Sequence, residues 1–202
     1  SADGEYYISG YSLYKIDRST PVWTTTNGLQ DISADGEYII GGGSLYNKNS
    51  STPIWNATSG SMRVISADGN YIAGYSGSVP STVYLFHKDS STPLWNYTVA
   101  DAIECMSISG DGQHIVAATY DEDYENNKVY LFGKDSSTPL WVYSNEGQAR
   151  MFLSCDISAD GEYIVASDFD YEVHLFDKDS STPLWVEELS LGVKSVSISA
   201  DG

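Results

Sequence analysis

Ser158-Ala-Asp-Gly-Glu-Tyr-Ile-Val-Ala-Ser167, followed by Val173-His-Leu-Phe-Asp-Lys-Asp-Ser-Ser-Thr-Pro-Leu-Trp185, is the stretch whose reading decides the fold. Both halves recur. The tetrapeptide Ser-(Ala/Gly)-Asp-Gly begins at Ser1, Ser33, Ser66, Ser109, Ser158 and Ser199, with spacings of 32, 33, 43, 49 and 41 residues. Ser-Thr-Pro-(Val/Ile/Leu)-Trp ends at Trp23, Trp55, Trp95, Trp141 and Trp185, which takes up all five tryptophans. Ten residues before each tryptophan stands a leucine (Leu13, Leu45, Leu85, Leu131, Leu175), and nine before it an aromatic residue (Tyr14, Tyr46, Phe86, Phe132, Phe176). A fixed frame with loops of changing length means a repeated strand unit, starting near residues 1, 33, 66, 109 and 158.

Within each unit the apolar runs are short, rich in Tyr, Val, Ile and Phe, and bounded by turn residues, and no 3.6-residue stripe is present. The fold class is therefore all-β. Four short strands in about 40 residues is the size of one blade of a β-propeller. The second strand of the unit, Tyr163 to Ala166, is apolar on both faces, so both faces must be covered, as when blades stack face to face. Proline at Pro21, Pro53, Pro93, Pro139 and Pro183 cannot donate to a ladder, which places its strand at the outer edge. The tryptophan two residues later is expected to pack between blades in every unit.

Ser158 to Ser167 with Val173 to Lys178 resembles the repeat core of WD40-type propellers, and Leu175 to Trp185 is similar to the tryptophan-docking motif of quinoprotein-like propellers. The resemblance covers the whole chain and implies a propeller of four-stranded antiparallel blades. It says little of activity, because propellers host many functions. The Gly-His and Trp-Asp dipeptides of WD40 repeats are missing, so that family's His and Asp network is not carried over.

The chain opens before a second-type strand and closes with Val193-Lys-Ser-Val-Ser-Ile198, a first-type strand. Five blades closed by this C-terminal strand are expected, as a single domain or as a segment of a larger protein. The chain carries 28 acidic against 10 basic residues, a net charge of −18. Nucleic acid and direct insertion into a membrane are thereby disfavoured as partners, since phosphate backbones and anionic lipids attract Lys and Arg.

No constellation of catalytic residues emerges. His114 stands where other units have Tyr6, Tyr38, Tyr71 and Tyr163, and His174 where they have Tyr84 and Tyr130, so both read as packing residues. His87 falls in a turn. The Asp-Gly pairs read as hairpin turns rather than a calcium array. No nucleophile elbow, phosphate loop or zinc-helix motif occurs, and no cofactor or metal is expected. Cys105 and Cys155 lie four and three residues before their turn motifs, hence on opposite faces of equivalent strands in neighbouring blades, and are read as buried free thiols without a disulfide.

Two of the four connections in each unit keep their length and two do not. Alternate connections of a meander emerge at the same end, so insertions gather on one face, the expected recognition surface. On it the candidate partner-binding residues are Tyr120, Asp121, Asp123, Tyr124, Phe169, Asp170 and Tyr171, an acidic and aromatic set. Sequons at Asn49, Asn56 and Asn96 are candidate glycosylation sites and point to an extracellular or cell-surface setting. The expected function is non-enzymatic: a surface module that binds a protein or glycan, or assembles with other domains of a larger surface protein. The rival readings are a quinoprotein-like or hydrolytic propeller enzyme and an intracellular WD40-type scaffold.

Overall fold

The computed structural model describes residues 1–120, 127–144 and 151–202. Among these residues every regular element is a β-strand, and the strands form five antiparallel sheets, one per repeat, in a propeller-like repeat fold. The first sheet holds β1 (Tyr6–Ser9), β2 (Ser12–Lys15) and β3 (Trp23–Thr24), and the second β4 (Leu29–Ile32), β5 (Tyr38–Gly41), β6 (Ser44–Asn47) and β7 (Trp55–Asn56). The third holds β8 (Ser61–Ile65), β9 (Tyr71–Tyr75), β10 (Ser81–His87) and β11 (Trp95–Val99). The fourth runs β12 (Ala102–Ile108), β13 (His114–Tyr120), β14 (Lys128–Gly133) and β15 (Pro139–Ser144), and the fifth β16 (Phe152–Ile157), β17 (Tyr163–Asp168), β18 (Glu172–Asp177) and β19 (Trp185–Glu188). Neighbours in sequence are neighbours in each sheet, and the proline-led strand is always an edge. The chain divides into two compact units, one of Ser1–Ser76 and Thr82–Asn96, the other of Gly77–Ser81 and Tyr97–Gly202.

The turn motif has a hydrogen-bonding reason for each residue. Ser158 Oγ donates to Asp160 Oδ1 (2.6 Å) and accepts from Tyr163 N (3.0 Å), while Glu162 N donates to the same Asp160 oxygen (3.1 Å). The set repeats at Ser33, Asp35, Glu37 and Tyr38. Gly161 closes the turn at φ 75°, and a Cβ there would come within 2.6 Å of His114 Nδ1 on the preceding sheet. Tyr6 covers Gly36 in the same way, Tyr38 covers Gly69 and Tyr163 covers Gly202, so His114 does replace a packing tyrosine.

Three of the tryptophans join consecutive sheets. Trp23 Nε1 donates to the Lys48 carbonyl (2.8 Å), Trp55 Nε1 to that of Lys88 (2.6 Å) and Trp141 Nε1 to that of Lys178 (2.8 Å). Their rings meet Tyr46, Phe86 and Phe176, centroids 5.5, 5.9 and 5.4 Å away, which accounts for the aromatic residue nine positions before each following tryptophan. Trp185 departs from the expectation. It is 47% exposed, on a strand exposed throughout, since no described residues stand against it as the next sheet stands against Trp141.

β5, β9, β13 and β17 are covered on both faces, as the sequence predicts. β1 is half-buried on one face and exposed on the other, and the first sheet has three strands. Val193 to Ile198 forms no ladder; it runs beside β16, with Val196 N on Ser154 Oγ (3.2 Å) and Ile198 N on Asp156 Oδ2 (3.1 Å).

Each four-stranded sheet carries a β-bulge in its first strand, between Leu29 and Asp31, Met62 and Val64, Ile103 and Cys105, and Phe152 and Ser154. After the bulge Cys105 pairs with Ala118, and Cys155 pairs with Ala166. The cysteines lie on opposite faces of equivalent strands, as the sequence predicts, Cys155 buried and Cys105 half-buried. On stacked sheets, opposite faces of equivalent strands look toward each other, and Cys105 packs against the core that contains Cys155. Both are free thiols.

Candidate functional site: the turn between the second and third strands of the fifth sheet

β17 and β18 pair from Tyr163 with Asp177 to Ser167 with Val173, leaving a short turn over Phe169, Asp170 and Tyr171. Tyr171 has φ 73°, a left-handed conformation that costs a non-glycine residue about 1–2 kcal/mol. The turn is held from below. Asp168, fully buried, accepts from Asp170 N (3.1 Å) and Glu172 N (2.9 Å) through Oδ1. Outside the turn, Phe169 N donates to the Met151 carbonyl and Leu189 N to that of Tyr171. Phe169 and Tyr171 nevertheless stand 58% and 45% exposed, with exposed Asp170 between them.

Beneath the turn, Asp168 Oδ2 meets His174 Nε2 at 3.1 Å, and Glu172 Oε2 lies 3.7 Å from the same nitrogen. His174 is buried, in line with its reading as a packing residue: it faces Phe176 and Phe152 and is flanked by Tyr143. Its Nδ1 is buried with no hydrogen-bond partner among the described residues. Asp168, Glu172 and His174 each bring one ligand atom within 4.8 Å of the others. An oxygen and imidazole donor set of this kind suits a zinc-class ion, and the same contacts make a buried Asp–His hydrogen bond that orients the turn.

This grouping was not found from sequence, because histidines were tested only against one another. The available signal was an ionisable residue, His174, paired in register with Ala166 inside an apolar strand. Tyr120, at the end of the equivalent strand of the fourth sheet, is half-buried. Asp121, Asp123 and Tyr124 lie outside the described residues. Asn49, Asn56 and Asn96 are all exposed, although Asn56 Oδ1 accepts from Ser44 Oγ (2.7 Å).

Two inner-strand carboxylates also escaped the sequence reading. Asp31 accepts from Ile32 N (2.8 Å) and, on the next sheet, Ile65 N (2.9 Å). Asp156 accepts from Ile157 N, Ser107 Oγ and Ile198 N. Burial raises the Asp31 carboxyl above its usual range in spite of the two N–H donors. Both residues tie strands of successive repeats together and point to no substrate. No protein-family model matches this chain, and no curated protein matches it.

Proposed function

We propose that this chain is a non-enzymatic binding module of the cell surface or extracellular space, and that it recognises a basic protein surface through Phe169, Asp170 and Tyr171. The observation that carries the reading is an exposed aromatic pair on a turn whose backbone is bonded to a buried carboxylate. Such a pair offers large contact area with few rotors left to freeze, and a turn fixed before binding loses little entropy on contact. The net charge of −18 supports a cationic partner, by steering and by complementarity. The repeat resemblance to WD40-like and tryptophan-docking propellers supports the binding role by analogy of fold alone.

The test is binding of the full chain to arrays of Lys- and Arg-rich peptides and of neutral glycans. Cationic peptides are expected to bind, and Phe169→Ala with Tyr171→Ala to lower that affinity about tenfold or more without moving the melting temperature. Retained affinity in the double variant, or binding confined to glycans, would overturn the proposal.

A further inference from the structure

β12 and β16, the first strands of the fourth and fifth sheets, lie side by side, and three observations fix their alignment. Ser107 Oγ donates to Asp156 Oδ1 at 2.8 Å, Gly110 N donates to the Ala159 carbonyl at 2.9 Å, and a Cβ on Gly110 would come 3.0 Å from that of Ala159. Both bonds join residues 49 apart, so Cys105 lies level with Ser154 and next to Cys155. Cys105 faces the fifth sheet, Cys155 the fourth. They meet at one apolar core that holds Val116, Ala118, Phe152 and Ala166.

We propose that Cys105 and Cys155 are a modification site, a dithiol that closes to an inter-sheet disulfide by exchange with a small-molecule disulfide of the glutathione class. Cys105, the half-buried member, is the entry point. Its thiolate attacks one sulfur of the oxidant, the oxidant's S–S bond breaks, and one small thiol leaves, giving a mixed disulfide on Cys105. Cys155 then attacks Cys105 Sγ as the thiolate. The mixed S–S bond breaks, the Cys155 proton passes to the departing sulfur, and a second small thiol is released. Two protein thiols are oxidised and one external disulfide is reduced, so atoms and electrons balance.

The environment sets the order of these steps. Burial first, and the hydrogen bond with Cys105 second, push the Cys155 thiol well above its usual range. Cys155 is thus a poor first attacker and enters in the second step. The bond would close a loop across one complete repeat, restricting the unfolded chain far more than the folded one.

The test uses the full chain, folded and reduced, incubated with oxidised glutathione, quenched in acid and read by intact mass and peptide mapping. The expected product has lost the mass of two hydrogens, carries no glutathione, links Cys105 to Cys155 within one chain, and melts roughly 5–10 °C higher than the reduced form. Cys155→Ser is expected to stop at the mixed disulfide on Cys105, whereas Cys105→Ser stays unmodified over the same interval. Wild-type protein that ends as a stable glutathione adduct, stays reduced, or links only between chains overturns the proposal. These wild-type outcomes hold whether or not the serine variants fold.

Discussion

At the scale of single residues, position in the repeat decides what a side chain does, and exceptions to the repeat carry the individual chemistry. His114 fills a tyrosine position over Gly161, half-buried, with Nδ1 unpartnered among the described residues. Desolvation lowers its pKa below 6.5, outweighing the pull of Asp111. The unfolded chain therefore takes up a proton at higher pH than the folded one. The stability tied to this histidine is complete above pH 6.5 and is lost as pH falls through the folded-state pKa. Asp31 has the opposite sign: its raised carboxyl contributes most below the unfolded value and less as pH rises through the folded one. His114→Tyr, which restores the residue of the other repeats, should shrink the drop in melting temperature between neutral and mildly acidic buffer, and equal drops in variant and wild type would refute it. Positions such as His114 were legible because four other repeats supply the comparison. Asp168 was not, because Tyr11, Gly43, Ser76 and Thr119 stand at its place in the other repeats. The bond it takes from Glu172 N is matched by Thr82 N on Ser76 Oγ and Lys128 N on Thr119 Oγ1, but those hydroxyls give no sign of a carboxylate beside His174.

At the scale of elements, sequence alternation and turn chemistry placed the strands, the edges and the doubly covered second strand. The bulges were not visible, since a bulge adds one residue to a strand without changing its composition. They bear on the cysteines, because Ile103 is followed in the ladder by Cys105. The sequence places those thiols on opposite faces of equivalent strands in neighbouring blades, but that the two faces meet depends on how the sheets stack, which strand periodicity does not encode. The same distinction separates the tryptophans. Trp141 donates to the Lys178 carbonyl and packs on Phe176, whereas Trp185 is 47% exposed. Trp141→Ala should cost about 3 kcal/mol and Trp185→Ala about 1 kcal/mol or less in urea unfolding. Equal costs would mean that another surface covers β19 in solution.

At the scale of the whole molecule, stability depends on each sheet finding a neighbour, because one strand layer cannot bury its own apolar faces. The segment after β19 serves as such a neighbour for the fifth sheet. Val196 and Ile198 donate to Ser154 and Asp156, Asp160 N donates to the Ala200 carbonyl at 3.2 Å, and Gly202 lies under Tyr163 as Gly161 lies under His114. These are contacts that a first strand and its turn make with the preceding sheet elsewhere, as when Asp31 receives Ile65 N. Val193 to Gly202 therefore acts as a cover without ladder bonds of its own. Removing it exposes one face of β16 and leaves the Asp156 Oδ2 oxygen without that donor. Deletion of Val193 to Gly202 should lower the melting temperature by roughly 5 °C or more and speed amide exchange in β16 and β17 first, since loss of cover is felt in the strands beneath it. An unchanged melting temperature, or faster exchange confined to β19, would show that the segment contributes nothing to the sheet it lies on.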